Sequence, residues 1–147
     1  MIQRIQSVFL LLAAVSAFCL FAFPFASTSQ VVGNSANFSD GMFNLNDNIG
    51  LLILFAAAGL LALVSIFLFK DRKRQLLVGR FAIIANVIGL ILALALYYND
   101  SDTIGENVAI NDELGLYMPL AFLLFALLAQ RFISKDEKLV RSMDRLR

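Results

Sequence analysis

The chain has 147 residues, of which 60% are hydrophobic and only 16% are charged, and its mean hydropathy is +0.80. Soluble domains are about 45–50% apolar and about 25% charged, and a fold of this size buries only about two-thirds of its chain surface. The composition therefore excludes an ordinary soluble domain and a disordered chain. It predicts an integral membrane protein with a single domain.

The residue inventory also restricts the chemistry. The chain contains no histidine and one cysteine, Cys19, so an intrachain disulfide, a histidine base and a histidine metal ligand are excluded. The segment that begins at Asp100 resembles a calcium-binding EF-hand loop only in part, because Ile104 and Asn111 occupy two of the ligand positions. We therefore expect no enzyme activity, no cofactor and no metal site, and we interpret this loop as acidic and solvated.

Four stretches without charged residues in their centres are long enough to cross a bilayer, which requires about 20 helical residues. Because backbone polar groups must be paired internally in lipid, each stretch is predicted to be a helix. The predicted helices cover about residues 5–26, 49–70, 76–98 and 113–133. Pro119 predicts a kink near the start of the fourth helix. The first helix is expected to be retained, since its apolar stretch exceeds the usual 7–15 residues of a signal peptide.

The twelve Lys and Arg residues all fall on one side of the membrane if the chain crosses it four times. The two loops on the other side, residues 26–48 and 99–113, carry only acidic charges. Cytoplasmic loops of membrane proteins carry the excess of basic residues. This distribution predicts an all-α, four-helix membrane bundle formed by residues 1–147. Both termini are expected in the cytoplasm, and the membrane is expected to be crossed four times.

Small and polar residues within the third span indicate a packing face. Ala85, Gly89 and Ala93 recur every four residues beside Asn86. Small residues at this spacing allow close helix approach, and an asparagine in a span can hydrogen-bond to a neighbouring helix. We interpret these four as helix-packing residues, with an interface to another protein as the competing hypothesis. The span centres lack charged residues, which argues against an ion-coupled transporter.

Residues 134–147 are predicted to form a cytoplasmic amphipathic tail helix. Its apolar side consists of Leu139, Val140, Met143 and Leu146, set among basic residues. Such a helix lies on lipid headgroups or docks on a partner protein. The short basic cluster at residues 70–74 has no interleaved aromatic residues, so no nucleic acid is expected as a partner.

The opening Met1-Ile2-Gln3-Arg4-Ile5-Gln6, the apolar run at residues 10–14, Gly79-Arg80-Phe81 and the charged tail are similar to the pattern of a known family. The chain resembles a family of small bacterial four-span inner-membrane proteins of unknown function. The resemblance implies a four-helix inner-membrane architecture and no established activity. No functional residue is therefore carried over from it.

Two functions of different classes follow from these features. The first is a non-catalytic accessory or assembly subunit of a larger inner-membrane complex, whose partners are the lipid bilayer and other membrane subunits. The alternative is a small channel or carrier for an uncharged or lipidic solute, compatible with a homo-oligomer, in which Ser65 and Asn86 line the route. A lipid-modifying enzyme that uses loop carboxylates is disfavoured, because the chain lacks a paired nucleophile and base.

Overall fold

The computed structural model describes residues 2–29, 37–104 and 108–144, excluding the side chains of residues 2–4, 102–104, 141, 143 and 144. The elements in chain order are α1 (Ile2–Cys19), β1 (Ala26–Thr28), β2 (Met42–Phe43), a 3-10 turn (Leu45–Asp47), α2 (Ile49–Phe67), α3 (Arg72–Ile104), β3 (Ile110–Asp112) and α4 (Leu114–Asp144). The predicted helical fold is therefore confirmed at the level of four helices.

The helices pack in the cyclic order α1, α2, α3 and α4, and α4 closes the ring against α1. Neighbours in sequence are thus neighbours in space, as in an up-and-down bundle. Small side chains dominate the buried centre, and the large ring of Phe122 lies among them. The members of this cluster are Ala13, Ala14, Ala17, Ala58, Ala62, Ala82, Phe122 and Ala126. An interior of alanine allows the helix backbones to approach closely.

Large apolar side chains lie on the outward face of every helix. They recur at intervals of mainly three or four residues: Val8, Leu11, Val15 and Phe18 on α1; Ile49, Ile53, Leu60, Val64 and Phe67 on α2; Leu77, Phe81, Ile84, Ile88 and Ile91 on α3; Leu114, Tyr117, Leu120, Leu124 and Leu127 on α4. Soluble proteins place such residues inside and rarely expose a continuous apolar surface. The distribution therefore indicates a membrane protein.

Three helical segments among the described residues are long and apolar enough to cross a membrane: Ile49–Phe67, Arg72–Ser101 and Leu114–Val140. The apolar part of α1 is shorter, Ile5–Cys19, and the prediction of a helix to residue 26 is wrong at its end. Pro24 lacks an N–H and disfavours helical geometry at Phe23. The chain turns after Cys19, whose carbonyl oxygen accepts a hydrogen bond from the Phe23 N–H at 3.1 Å.

The two acidic loops build a small antiparallel sheet of order β2–β1–β3. Ala26 of β1 lies opposite Phe43 on one side and Asp112 on the other. Beneath it Phe25, Phe38 and Phe43 are fully buried with other apolar residues of the bundle. The interpretation of the segment that begins at Asp100 as a solvated loop is wrong at its first residue. Asp100 is buried, and its carboxylate accepts hydrogen bonds from the backbone and side-chain N–H groups of Asn37 at 3.1 and 3.0 Å.

The third and fourth helices are longer than predicted. α3 begins at Arg72 instead of residue 76, since the Asp71 carboxylate accepts a hydrogen bond from the Arg74 N–H at 3.2 Å and caps the first turn. α3 also continues beyond residue 98 to Ile104. α4 begins at Leu114 and runs without interruption to Asp144, with Pro119 inside it. The predicted tail segment that begins at residue 134 is, as far as Asp144, a direct continuation of the fourth helix.

The two ends of the bundle carry opposite charge. The basic end is where α2 meets α3 and where α4 finishes, and its described basic side chains are Lys70, Arg72, Lys73, Arg74, Lys135 and Lys138. The acidic end carries the sheet, with Asp40, Asp47, Asp100, Asp112 and Glu113. The described acidic side chains at the basic end are Asp71, Asp136 and Glu137, and the first two form ion pairs with arginines.

Candidate functional site

A layer of polar side chains crosses the bundle in its basic half. Gln6, Ser65 and Gln75 are buried there, and Gln130 is half-buried. The Gln6 amide donates to the Phe132 carbonyl oxygen at 3.2 Å, which joins α1 to α4. The Ser65 hydroxyl donates to the Gln75 carbonyl oxygen at 3.2 Å, which joins α2 to α3.

Gln130 joins α4 to α3 at a close approach of the two helices. Its side-chain amide donates to the Leu76 carbonyl oxygen at 3.1 Å. A Cβ atom on Gly79 would lie 2.1 Å from that same nitrogen. A side chain at position 79 therefore cannot coexist with the observed position of the Gln130 amide.

Asn86 lies deeper in the bundle and is completely buried. Its side-chain N–H donates to the Pro119 carbonyl oxygen at 3.1 Å, so it links α3 to α4 as well. Its Oδ1 atom and the Oε1 atom of Gln75 have no hydrogen-bond partner among the described residues. Leaving a buried acceptor unpaired costs about 1–3 kcal/mol. Either oxygen could accept a hydrogen bond from a bound molecule.

The other packing candidates of α3 face the interior at different depths. Ala85 is partly buried against the alanine-rich centre. A Cβ atom on Gly89 would lie 3.0 Å from the Phe55 ring, so the glycine makes room for an aromatic ring of α2. Ala93 is buried in the apolar cluster beneath the sheet. The structure thus distributes these residues along two interior clusters and does not gather them into one site.

A groove of about 890 Å³ opens on the outside of the bundle between α3 and α4. The contact between these two helices is the least extensive of the four in the ring. The apolar walls of the groove are Leu76, Ile83, Ile84, Leu124, Leu127 and Leu128. Its polar lining consists of Arg80, Gln130, Arg131 and Ser134. The groove therefore combines apolar walls with two positively charged groups.

The tail residues lie on the last turns of α4. Leu139 is 47% exposed, and Val140 is half-buried. The backbone of Met143 belongs to α4, but its side chain and the whole of Leu146 lie outside the described residues. Two of the four docking candidates are therefore located, on a helix that continues directly from the bundle.

A comparison with known families matches residues 2–146 to the family described as a domain of unknown function, DUF4293. The chain belongs to this family. The predicted resemblance to an uncharacterised family of small proteins is confirmed to that extent. Comparisons with curated proteins and with solved structures found no match. The description of the DUF4293 family assigns no activity.

Sequence reasoning on this DUF4293 member did not identify the whole polar layer or the groove. Gln6 and Gln75 lie near helix ends, where a polar residue predicts nothing unusual. Arg80 and Arg131 are 51 positions apart in the sequence and line the same groove only because α3 and α4 are adjacent. The available signal was a glycine next to an arginine inside an apolar stretch, Gly79-Arg80.

Proposed function

We propose that this protein crosses a bacterial inner membrane with all four helices and serves as a non-catalytic accessory or assembly subunit of a larger membrane complex. The apolar outward face that α1 shares with the other helices supports its inclusion as a span. Its apolar part, Ile5–Cys19, covers about 22 Å at 1.5 Å per residue, and the apolar turn at residues 20–23 that follows it brings the segment nearer to the hydrocarbon thickness of about 30 Å. The backbone N–H groups of Phe21, Ala22 and Phe23 are all donated within the protein, as a membrane environment requires.

The charge separation supports an orientation with both termini in the cytoplasm. The basic end of the bundle carries the described lysines and arginines, and the acidic end carries none. Basic residues are retained preferentially on the cytoplasmic side. In this orientation the sheet and its aromatic core face the opposite side.

The observation that carries the subunit role is the extension of α4 past the bundle. Asp136 forms an ion pair with Arg72, the first residue of α3, so it lies level with that end. Residues 137–144 continue the same helix for about 12 Å beyond it. A helix anchored in a bundle and bearing exposed Leu139 offers a preorganised surface, whose docking on a partner avoids the cost of ordering a free tail.

Cysteine accessibility tests the orientation. Cys19 is the only cysteine, so Cys19→Ser provides a background without thiols. Asp40→Cys and Lys73→Cys then place one thiol at the acidic and the basic end. We expect a membrane-impermeant maleimide to label residue 40 from outside spheroplasts and residue 73 only after permeabilisation. The reverse labelling would contradict the orientation, and labelling of both sites from outside would contradict a spanning bundle.

Co-purification with crosslinking in mild detergent tests the subunit role. We expect a stoichiometric membrane-protein partner, and we expect Leu139→Gln to reduce its recovery. Lys135→Gln is the matched control, because it changes an exposed residue of α4 that is not part of the apolar side. Recovery of a lone monomer, or equal recovery with both variants, would reject docking through the tail.

A small channel or carrier for an uncharged or lipidic solute is the second candidate. The unpaired oxygens of Asn86 and Gln75 favour it, whereas the fully buried Phe55 and Phe122 side chains fill the interior. Flux of an uncharged solute into vesicles containing the purified protein separates the two. Asn86→Leu should abolish flux if Asn86 lines a route, and unchanged flux would remove this candidate.

A further inference from the structure

We propose that the groove between α3 and α4 binds a phospholipid with an anionic headgroup. Arg80 and Arg131 contact the phosphate, and the apolar walls hold an acyl chain. The proposal rests on the membrane assignment above but not on the role as a subunit.

The two arginines supply charge that the protein itself does not neutralise. Arg80 and Arg131 are exposed, and neither forms an ion pair or hydrogen bond with the described residues. By contrast, Arg72 is paired with Asp136 at 2.8 Å, and Arg74 is paired with Asp71 at 3.1 Å. No acidic residue lines the groove. A guanidinium group binds phosphate oxygens in a bidentate manner, so an anionic headgroup complements this end of the groove.

The dimensions of the groove match one leaflet of a bilayer. The α4 wall extends from Leu124 to Ser134, about 15 Å along the helix axis, and half of the hydrocarbon core is also about 15 Å. Ser134 and Arg131 lie towards the basic end, where the headgroups of that leaflet would be. Leu124 and Ile84 lie at the other end, at the depth of acyl chains. Basic pockets between transmembrane helices are known to bind such headgroups.

Arg80 lies within the long apolar helix α3, in the sequence Gly79-Arg80-Phe81. A charged side chain costs about 2.5–3.5 kcal/mol at the centre of a membrane helix and less near its ends. An anionic headgroup beside Arg80 lowers that cost. A second copy of this chain would instead bring another pair of arginines against the first if the two grooves met, and like charges at an interface are unfavourable. The lipid is therefore the occupant that the charges favour.

Titration of the purified full-length chain with a fluorescent phosphatidylglycerol in detergent micelles tests the proposal. The unlabelled competitors are phosphatidylglycerol, phosphatidylcholine and inorganic phosphate. We expect phosphatidylglycerol to compete best and inorganic phosphate not to compete. Arg80→Gln and Arg131→Gln should each weaken binding about fivefold, and the double variant about thirtyfold, because each basic residue near an anionic headgroup contributes about fivefold in affinity.

Matched variants keep the test independent of folding and of overall charge. Lys135→Gln removes one charge from the same end outside the groove and should leave affinity unchanged, while Arg80→Lys should retain part of it. Leu128→Trp places a larger side chain on the apolar wall of the groove, so it should lower the affinity for the lipid while both arginines remain. Far-UV circular dichroism checks that every variant remains helical.

Equal affinity for both lipids, or equal loss with Lys135→Gln, would overturn the proposal. Competition by inorganic phosphate would assign the arginines to a soluble anion, and binding that changes only with the oligomeric state would assign the groove to a second copy. Since the assay uses the chain alone, it can succeed where no partner protein is recovered. A failed co-purification would therefore reject the subunit role without affecting lipid binding, and a failed lipid titration would reject lipid binding without affecting the subunit role.

Discussion

Gly115→Ala is expected to separate the start of α4 from the turn after α1. A Cβ atom at position 115 would lie 2.3 Å from the Pro24 carbonyl oxygen and 2.6 Å from that of Phe23. Both are backbone atoms, so no rotation of a side chain can relieve the contact. The Gly115 N–H also donates to the Pro24 oxygen at 2.9 Å, and the Glu113 N–H donates to the Phe25 oxygen at 3.0 Å.

If the start of α4 moves away to relieve this contact, both hydrogen bonds are lost, at a cost of about 1 kcal/mol each. Overpacking that remains costs about 1–3 kcal/mol, and alanine returns at most about 1 kcal/mol relative to glycine in a helix. We therefore expect a net loss of about 3 kcal/mol, or about a hundredfold in the unfolding equilibrium. The measurement is the unfolding midpoint in mixed micelles, followed by far-UV circular dichroism.

Gly50→Ala is the matched control, because Gly50 is also the second residue of its helix, α2. A Cβ atom there would meet only side-chain atoms, the Asn48 Oδ1 at 3.0 Å and the Leu92 Cδ2 at 3.2 Å. These atoms can move, so the expected change is within about 1 kcal/mol of the wild type. Equal unfolding midpoints for the two variants would refute the argument from the backbone contact.

Three further predictions use the same unfolding measurement. Asn86→Ala should lose about 1–2 kcal/mol of unfolding free energy, because it removes the hydrogen bond between α3 and α4. The Ser16 hydroxyl donates to the Leu12 carbonyl oxygen of its own helix, so Ser16→Ala should be nearly neutral. Equal losses would contradict the interhelical role of Asn86. Gly79→Ala should destabilise the wild-type protein but cause little further loss in a Gln130→Ala background, because the Gln130 side-chain nitrogen that the new Cβ would meet is then absent. Additive losses in this double-mutant cycle would disprove the contact. Asp136→Asn should lose at most about 1 kcal/mol of unfolding free energy, because its ion pair with Arg72 is partly exposed, and the loss should be smaller at high salt. Asp71→Asn breaks the more exposed pair with Arg74 and should lose less stability. The opposite order would contradict the burial argument.

Residue types and their order were sufficient to predict most of the helical architecture. Apolar stretches located four helices, and the predicted start of the fourth at about residue 113 lies next to the observed start at Leu114. The prediction for α1 was wrong at its end, because five apolar residues before Ala26 indicate helix by composition although Pro24 and the approaching α4 turn the chain. The sheet was not predicted, since its strands have only two or three residues and their pairing is between distant segments.

For the candidate sites too, the sequence identifies single residues, whereas the packing of the helices decides which of them come together. Asn86 stands out in the sequence as a polar residue within a span, but its partner Pro119 is 33 positions away. Gln75, in the first turn of α3, and Gln130, near the end of the predicted fourth span, are ordinary polar residues in the sequence. The packing of the helices brings both into one layer. Arg80 and Arg131 each fit the simple role of a charge that sets orientation, and only the shared groove brings them together.

The sequence by itself determined that this chain is apolar and helical and that its charges separate into a basic and an acidic group, because these properties depend on composition and local order. Only the tertiary structure decided which small residues meet, which polar oxygens remain unpaired and where a groove opens. Those features depend on the distances between helices, and these distances follow from side-chain packing across the bundle, as at Gly79 against Gln130 and Gly115 against Pro24. The low charge content thus concealed two unpaired arginines that the fold places on the walls of one groove.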